Sequence, residues 1–171
     1  MINEKFDYFL YLKNKNNIMK LVVLRGLPGC GKSTLTQNIM KINPDAVVIS
    51  NDILRIDNSI YNYDVTKNNE IHKLSYSLLV NSLINKEKLI IIDNCNLNLD
   101  MLEKYIELAN DNGYNYIQLS FPKPEFKNLY SSFNRSRNGI SFTSYKNLYQ
   151  NYKNHYLDKN INNFDIGSLI E

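Results

Sequence analysis

Cysteine is scarce in this chain of 171 residues, which has only Cys30 and Cys95. Two cysteines are too few for a disulfide framework, so we expect a reducing, intracellular (cytoplasmic) setting. No apolar run is long enough to cross a membrane, and we therefore expect no membrane partner. The N-terminus carries early acidic residues and no small-residue cleavage site, which does not indicate a signal peptide.

Charge of one sign is not in large excess either, since the formal net charge is only +3. Its distribution is uneven, because seven lysines and arginines between Pro122 and Asn160 stand against two acidic residues. A basic C-terminal third favours a polyanionic ligand or a nucleotide. A solvated helix face with ordinary lysines is the alternative interpretation.

The sequence has no internal repeat, and short β-branched runs alternate with longer segments of helical period. This alternation predicts an α/β fold, a parallel sheet of four or five strands flanked by helices in three layers. Strands are predicted at Lys20–Arg25, Ala46–Ser50, Lys88–Asp93 and Asn115–Phe121. Helices are predicted at Lys32–Ile42, Lys67–Ile84, Leu99–Asn112, Pro124–Asn134 and Ser144–Leu157.

The first strand is followed by the segment GLPGCGKST, which matches G-x-x-x-x-G-K-[ST] at every required position. Glycines let successive backbone N–H groups point at phosphate oxygens, and the following helix adds its positive dipole end. We expect this loop to bind ATP, or another nucleoside triphosphate, with the lysine on the β- and γ-phosphates and the serine on Mg²⁺. The predicted nucleotide-binding residues are Gly26, Leu27, Pro28, Gly29, Cys30, Gly31, Lys32, Ser33 and Thr34.

Three classes of nucleotide-binding protein remain after this motif. A GTPase needs N-K-x-D after a strand, whereas NKEK at Asn85–Lys88 precedes a strand and lacks the aspartate. A motor-type ATPase needs a catalytic glutamate and usually a longer chain. A small kinase needs a base for the acceptor hydroxyl and cations over the transferred phosphate.

The second strand ends in VVISNDILR, which puts Asp52 where ligands bind in an open α/β sheet. A carboxylate there can accept a proton from a hydroxyl aimed at the γ-phosphorus, across a crevice from Lys32. Arg55 follows one helical turn later and suits a phosphate on the acceptor, because arginine pairs with phosphate in a bidentate manner. The alternatives are an N-cap for Asp52 and a surface salt bridge for Arg55.

The third strand ends in IIDNCNLN, where Asp93 is the candidate anchor, through water, for the Mg²⁺ bound to Ser33. Asn94 and Asn96 are candidates to orient Asp93 or to contact the acceptor. Turn chemistry after the strand is the alternative for both asparagines.

A basic segment, FNRSRNG at residues 133–139, follows the fourth predicted helix and ends in a glycine turn. Kinases close a basic lid over the transferred phosphate, which neutralises charge and excludes water. Arg135 and Arg137 are the candidate lid cations and catalytic residues, and solvated surface arginines are the alternative.

The chain resembles the 5′-kinase domain of phage-type polynucleotide kinases in the order and spacing of five segments. These are GLPGCGKST, ISNDILR, YDVTKNN, IIDNCNLN and NRSRNG. The resemblance covers about residues 20 to 157 and implies a three-layer P-loop kinase fold. It also implies Asp52 as general base and Arg55 on the 3′-phosphate beside the attacking 5′-hydroxyl. The relatives space their lid arginines three or four residues apart, whereas Arg135 and Arg137 are two apart.

We therefore expect an N-terminal extension at 1–19 and a kinase domain at 20–171 that phosphorylates the 5′-hydroxyl end of RNA or DNA. The resemblance implies a role in nucleic acid repair beside a separately encoded ligase. Two alternatives remain: a small-molecule kinase for a nucleoside, sugar or antibiotic, and a nucleotide-binding interaction module that docks a partner through FDYFLYL.

The last predicted helix carries Tyr145, Tyr149, Tyr152 and Tyr156 at helical spacing. A stripe that faces the core is the preferred interpretation, and a stacking platform for bases is the alternative. His72, near the start of a long predicted helix, is a weaker candidate for nucleic acid contact.

Overall fold

The computed structural model describes residues 18–57, 60–136, 139–155 and 163–165. Five parallel strands form one sheet in the order β2-β5-β1-β6-β7, and β3 and β4 form a separate antiparallel pair. The strands are β1 (Lys20–Arg25), β2 (Val47–Ile49), β3 (Ile56–Asp57), β4 (Ile60–Tyr61), β5 (Leu89–Asp93), β6 (Asn115–Ser120) and β7 (Asn163–Asp165). The α-helices are α1 (Lys32–Ile42), α2 (Asn68–Ile84), α3 (Leu99–Asn112), α4 (Leu129–Asn134) and α5 (Phe142–His155).

Strand β1 lies at the centre of the sheet and is buried along its whole length. Leu24 pairs with Asp93 of β5, and Arg25 pairs with Ser120 of β6. This register aligns the carboxyl ends of the central strands, so that the segments that follow them meet at one edge of the sheet. The four predicted parallel strands are confirmed within one residue at each end.

Alternate side chains of β1 belong to different hydrophobic clusters, which demonstrates the three layers. Leu21 and Val23 pack with residues of α2 and α3. Val22 and Leu24 pack on the opposite face with Ile39 of α1. Burial on both faces explains the near-continuous apolar sequence of the central strands. In the part of the chain that the structure describes, no helix is both long and apolar enough to cross a membrane.

A third cluster joins α4 and α5 to the glycine-rich loop. Tyr145 and Tyr152 are fully buried and Tyr149 is nearly so. The Tyr145 hydroxyl donates to the Pro28 carbonyl at 3.2 Å, and the Tyr152 hydroxyl donates to the Phe121 carbonyl. The core-facing interpretation is therefore confirmed for these three tyrosines, and the base-stacking alternative is wrong for them. Tyr156 lies outside the described residues.

Several features differ from the predicted elements, among them the start of α5, which lies at Phe142 and not at Ser144. The antiparallel pair β3–β4 and the edge strand β7 were not predicted, because each strand has only two or three residues. The fourth helix begins at Leu129, since Glu125 is extended and residues 126–128 form a 3₁₀ turn. The predicted extension at 1–19 lies outside the described residues except for its last two positions.

Candidate functional site

The glycine-rich loop has the backbone conformation that phosphate binding requires. Gly29 and Gly31 have φ of +76° and +105°, in the left-handed region that favours glycine. Helix α1 begins at Lys32 without a side-chain cap. No side chain therefore caps its first-turn N–H groups, and uncapped N–H groups at a helix N-terminus favour the binding of an anion.

Lys32 is only 7% exposed and folds back onto its own loop. Its Nζ donates to the carbonyls of Gly26 at 3.0 Å and Leu27 at 2.8 Å. The Cys30 sulfur lies 3.7 Å from the same atom. Burial raises the pKa of the Cys30 thiol, which disfavours the thiolate and agrees with its interpretation as a tolerated loop position.

The loop is held from the C-terminal side by the end of α4. A Cβ added at Gly29 would lie 2.8 Å from the Ser136 backbone nitrogen and 2.9 Å from the Ser132 carbonyl oxygen. Such distances leave room only for glycine. The backbone near the predicted lid and the backbone of the loop are therefore in direct contact.

Asp93 ends β5 beside the start of α1 and is largely buried. Burial raises the pKa of its carboxyl, while hydrogen bonds with Ser33 and Thr36 act in the opposite direction. The carboxyl is thus within hydrogen-bonding reach of the serine that the loop motif assigns to Mg²⁺. No group of three or more His, Cys, Asp or Glu side chains suited to a metal occurs among the described residues.

Asp52 follows β2 by three residues and lines the same cavity as Lys32. Its side chain makes no capping hydrogen bond to the 3₁₀ turn at Ile53–Arg55, so the N-cap alternative is wrong. Instead, its Oδ1 accepts a hydrogen bond from the Tyr61 hydroxyl at 3.1 Å. Tyr61 belongs to β4, and the unpredicted antiparallel pair therefore supplies a direct partner for this carboxylate.

Arg55 is held by two side chains from the segment that leads into α2. Its Nη2 donates to Asn68 Oδ1 at 2.6 Å, and its guanidinium carbon lies 4.8 Å from the centre of the Tyr63 ring. Its Nη1 is buried and has no hydrogen-bond partner among the described residues. Arg55 also lines the cavity, and no carboxylate of the described residues forms a salt bridge with it.

The two asparagines after β5 are engaged with backbone groups. Asn94 Oδ1 accepts from the Asn51 backbone N–H at 2.8 Å. Asn96 has φ of +49°, and its Nδ2 donates to the Leu24 carbonyl at 2.7 Å. Both residues line the cavity, and these bonds link the segment after β5 to β1 and to the residues that follow β2.

Of the two predicted lid arginines, only Arg135 belongs to the described residues. It follows the last residue of α4, is exposed, and donates from Nη2 to Ser132 Oγ at 3.0 Å. It also lines the cavity. Arg137 lies outside the described residues.

These parts surround one cavity of about 1590 Å³ at the carboxyl edge of the sheet. It brings together predicted site residues from four separate segments of the chain. They are Lys32 and Ser33 of the loop, Asp52 and Arg55 after β2, Asp93, Asn94 and Asn96 at β5, and Arg135 after α4.

A family model described as an AAA domain matches residues 21–142, which includes all of these segments. The chain belongs to this AAA domain family. The sheet, its flanking helices and the glycine-rich loop of this AAA domain form a P-loop kinase-like fold.

Similar proteins agree with that fold. The AAA domain is 36% identical to human NEDD4-binding protein 2 over 94 aligned residues. These residues make up 55% of this chain but only 5% of that protein. A chain of the Pnkp1/Rnl/Hen1 RNA repair complex aligns with a TM-score of 0.61 and 19% identity, over 87% of this chain and 48% of that chain. A gluconokinase from Sinorhizobium meliloti 1021 aligns with a TM-score of 0.54 and 12% identity, over 88% of this chain and 85% of that chain. The two structures show the fold alone.

Three residues contact the candidate site in this AAA domain although their sequence pattern did not indicate it. Tyr61 contacts Asp52, and Tyr63 and Asn68 contact Arg55. The available signal was the segment YNYDVTKNN, whose tyrosines and asparagines carry polar groups at the start of a helix. Nothing in their spacing indicates which site residue each of them contacts.

Proposed function

We propose that this protein is an ATP-dependent 5′-hydroxyl polynucleotide kinase, which transfers the γ-phosphate of ATP to the 5′-hydroxyl end of RNA or DNA. One observation carries the proposal: Asp52, Lys32 and Arg55 line a single cavity. A base, a phosphate-binding loop and a second anion-binding group are the parts that such a transfer needs.

In this proposal the Asp52 carboxylate accepts the proton of the 5′-hydroxyl. The 5′-oxygen attacks the γ-phosphorus, the bond from that phosphorus to the β,γ-bridging oxygen breaks, and ADP leaves. Asp52 is exposed and already accepts a hydrogen bond from one hydroxyl, that of Tyr61. A positioned carboxylate of this kind contributes about 10² to 10⁴ in rate as a general base.

On the donor side, the loop residues Gly26–Thr34 bind the triphosphate. Lys32 exchanges its contacts with the Gly26 and Leu27 carbonyls for phosphate oxygens, and the uncapped start of α1 faces the same anion. Arg135, and in this proposal also Arg137, close over the γ-phosphoryl group and neutralise its developing charge.

The residues around Ser33 fit Mg²⁺. The ion prefers oxygen ligands and is usually held by one or two carboxylates together with substrate phosphates, without an all-protein cage. The Ser33 hydroxyl and the Asp93 carboxyl supply such oxygens and hydrogen-bond with each other. When bound, Mg²⁺ would neutralise phosphate charge, and Ser33 and Asp93 would hold it.

On the acceptor side, Arg55 binds the 3′-phosphate of the nucleotide whose 5′-hydroxyl reacts. Its two partners, Asn68 and Tyr63, fix the guanidinium but leave Nη1 without a partner. A phosphate oxygen would satisfy this buried donor. A small neutral acceptor would leave it unsatisfied, which favours the phosphorylated end of a nucleic acid.

A repair setting is supported by the fold shared with the chain of the Pnkp1/Rnl/Hen1 RNA repair complex. In this setting the kinase acts beside a separately encoded ligase. Such an enzyme would join the 5′-phosphorylated ends that the kinase produces.

One assay tests the function directly. Radiolabelled ATP and Mg²⁺ are offered with 5′-hydroxyl RNA, 5′-hydroxyl DNA, a nucleoside panel and a sugar panel that includes gluconate. Label on an oligonucleotide end supports the proposal. Label on a nucleoside or sugar alone would replace it with a small-molecule kinase, and ATP binding without any transfer would replace it with a nucleotide-binding module.

A further inference from the structure

One face of α2 extends the cavity beyond Arg55. Asn69, His72, Lys73 and Tyr76 all line it. Their spacing of three, four and seven residues puts them on one side of the helix. The apolar side chains of Ile71 and Leu83 are buried within the protein and do not line the cavity. This polar face of α2 is therefore available to a ligand.

The polar face begins where Arg55 is anchored. Arg55 Nη2 donates to Asn68, the first residue of α2, at 2.6 Å. Lys73 lies five residues further along the same helix, which is about 7.5 Å at the α-helical rise. Arg55 and Lys73 both line the cavity, so both cations can contact one anionic ligand.

The side chains of this face are largely unengaged by the protein. Lys73 is exposed and forms no salt bridge with any described residue. Tyr76 is 43% exposed. His72 Nδ1 lies 3.3 Å from Asn51 Nδ2, while Asn51 Oδ1 is buried without a partner among the described residues. A cation and an aromatic ring thus remain for a ligand.

The size of the cavity agrees with a ligand that continues past the reacting end. At about 1590 Å³ it exceeds the roughly 300–1,000 Å³ that is typical of a site for one small molecule. Two ligands share the cavity in the proposed reaction, and the α2 face lines it together with the loop residues Lys32 and Ser33.

From these observations we infer that the polar face of α2 is a subsite for the second nucleotide of the acceptor strand. Lys73 binds the phosphate on the 3′ side of that nucleotide, and Tyr76 stacks on its base. The inference rests on the proposed function and adds a preference for strands of two or more nucleotides over a nucleoside 3′-phosphate.

The test compares two acceptors, a nucleoside 3′-phosphate and a dinucleotide that carries a 3′-phosphate, in the full chain. We expect the dinucleotide to have a KM about tenfold lower, since one additional charge-assisted contact forms. Lys73→Ala should remove that advantage and leave the nucleoside 3′-phosphate unchanged, whereas Lys73→Arg should restore it. Lys104→Ala, an exposed lysine of α3 that does not line the cavity, is the matched control.

Salt dependence gives a second measurement. For oligonucleotide binding, the logarithm of the binding constant decreases linearly with the logarithm of the salt concentration. In Lys73→Ala this negative slope should become shallower by about 0.7, the value for one lost phosphate contact on a single strand. An unchanged slope, equal KM values for the two acceptors, or equal losses on both acceptors in Lys73→Ala would overturn the subsite. Absence of transfer to the nucleoside 3′-phosphate and to every nucleic acid would instead overturn the proposed function.

Discussion

The two sides of the cavity are built in different ways. On the donor side, the glycine-rich loop is fixed by backbone conformation and by tight packing against α4, α5 and the central strands. On the acceptor side, Asp52 and Arg55 follow a short edge strand and are held by the side chains of Tyr61, Tyr63 and Asn68. The donor side therefore depends on backbone and buried groups, and the acceptor side on exposed or half-buried polar contacts.

This difference indicates how each side responds to substitution. A change in the donor loop disturbs packed backbone and should reduce stability together with nucleotide binding. A change on the acceptor side removes a side chain from the cavity surface and should reduce turnover while the fold persists.

The largest effect is expected from Asp52→Ala. Loss of a general base should lower kcat by about 10² to 10⁴, while ATP affinity changes by no more than a few-fold. Steady-state kinetics and ATP titration measure the two quantities. Asp57→Ala, an exposed aspartate of β3 that does not line the cavity, is the control. Retained turnover in Asp52→Ala would remove this carboxylate from the mechanism.

Gly29→Ala tests the donor side. The substitution introduces a Cβ at φ +76° and within 2.9 Å of three backbone atoms of the 132–136 segment. Backbone strain and overpacking together should lower the free energy of unfolding by about 2–4 kcal/mol and weaken ATP binding.

Gly139→Ala is the matched control for Gly29→Ala. Gly139 also has positive φ, at +66°, but nothing lies within 4 Å of an added Cβ. Gly139→Ala should therefore lower the free energy of unfolding by only about 1 kcal/mol, which comes from backbone strain alone. Equal losses of stability in the two variants, measured by chemical unfolding, would contradict the contact between the loop and the end of α4.

The same contrast explains what the sequence could predict. Strand β1 and helices α1 and α3 begin and end at the predicted residues, because continuous burial and strong local signals determine them. The loop motif likewise predicts its own conformation. The long-range contacts around the site could not be predicted, since Asn96 donates to Leu24, 72 residues earlier, and Tyr61 reaches Asp52 only through the short pair β3–β4.

Arg55→Ala tests the phosphate contact proposed on the acceptor side. We expect a loss of about tenfold to a hundredfold in kcat/KM for acceptors with a 3′-phosphate, in line with one charge-assisted hydrogen bond, and little change for nucleosides. Arg55→Lys should recover only part of this loss, because lysine cannot keep both the Asn68 contact and the stacking on Tyr63. Equal losses on both acceptor types would argue against a phosphate contact.

The smallest expected effect is a pH dependence of stability that originates in Asp93. Burial raises the pKa of this carboxyl above its ordinary value, so the native state binds the proton more tightly than the unfolded chain does. The carboxyl therefore stabilises the fold most when the pH is below its pKa in the unfolded chain, about 3.9. This stabilisation is lost as the pH rises through its pKa in the folded protein. Relative to Asp93→Asn, which does not titrate, the wild-type free energy of unfolding should decline over that range.

A second variant separates burial from hydrogen bonding at Asp93. The hydrogen bond from Ser33 lowers the pKa of this carboxyl, so Ser33→Ala should raise it further and extend the declining range to higher pH. Urea unfolding at a series of pH values measures both variants. A difference between wild type and Asp93→Asn that does not vary with pH would mean that Asp93 is well solvated. The donor side would then lack the buried carboxyl that distinguishes it from the exposed Asp52 across the cavity.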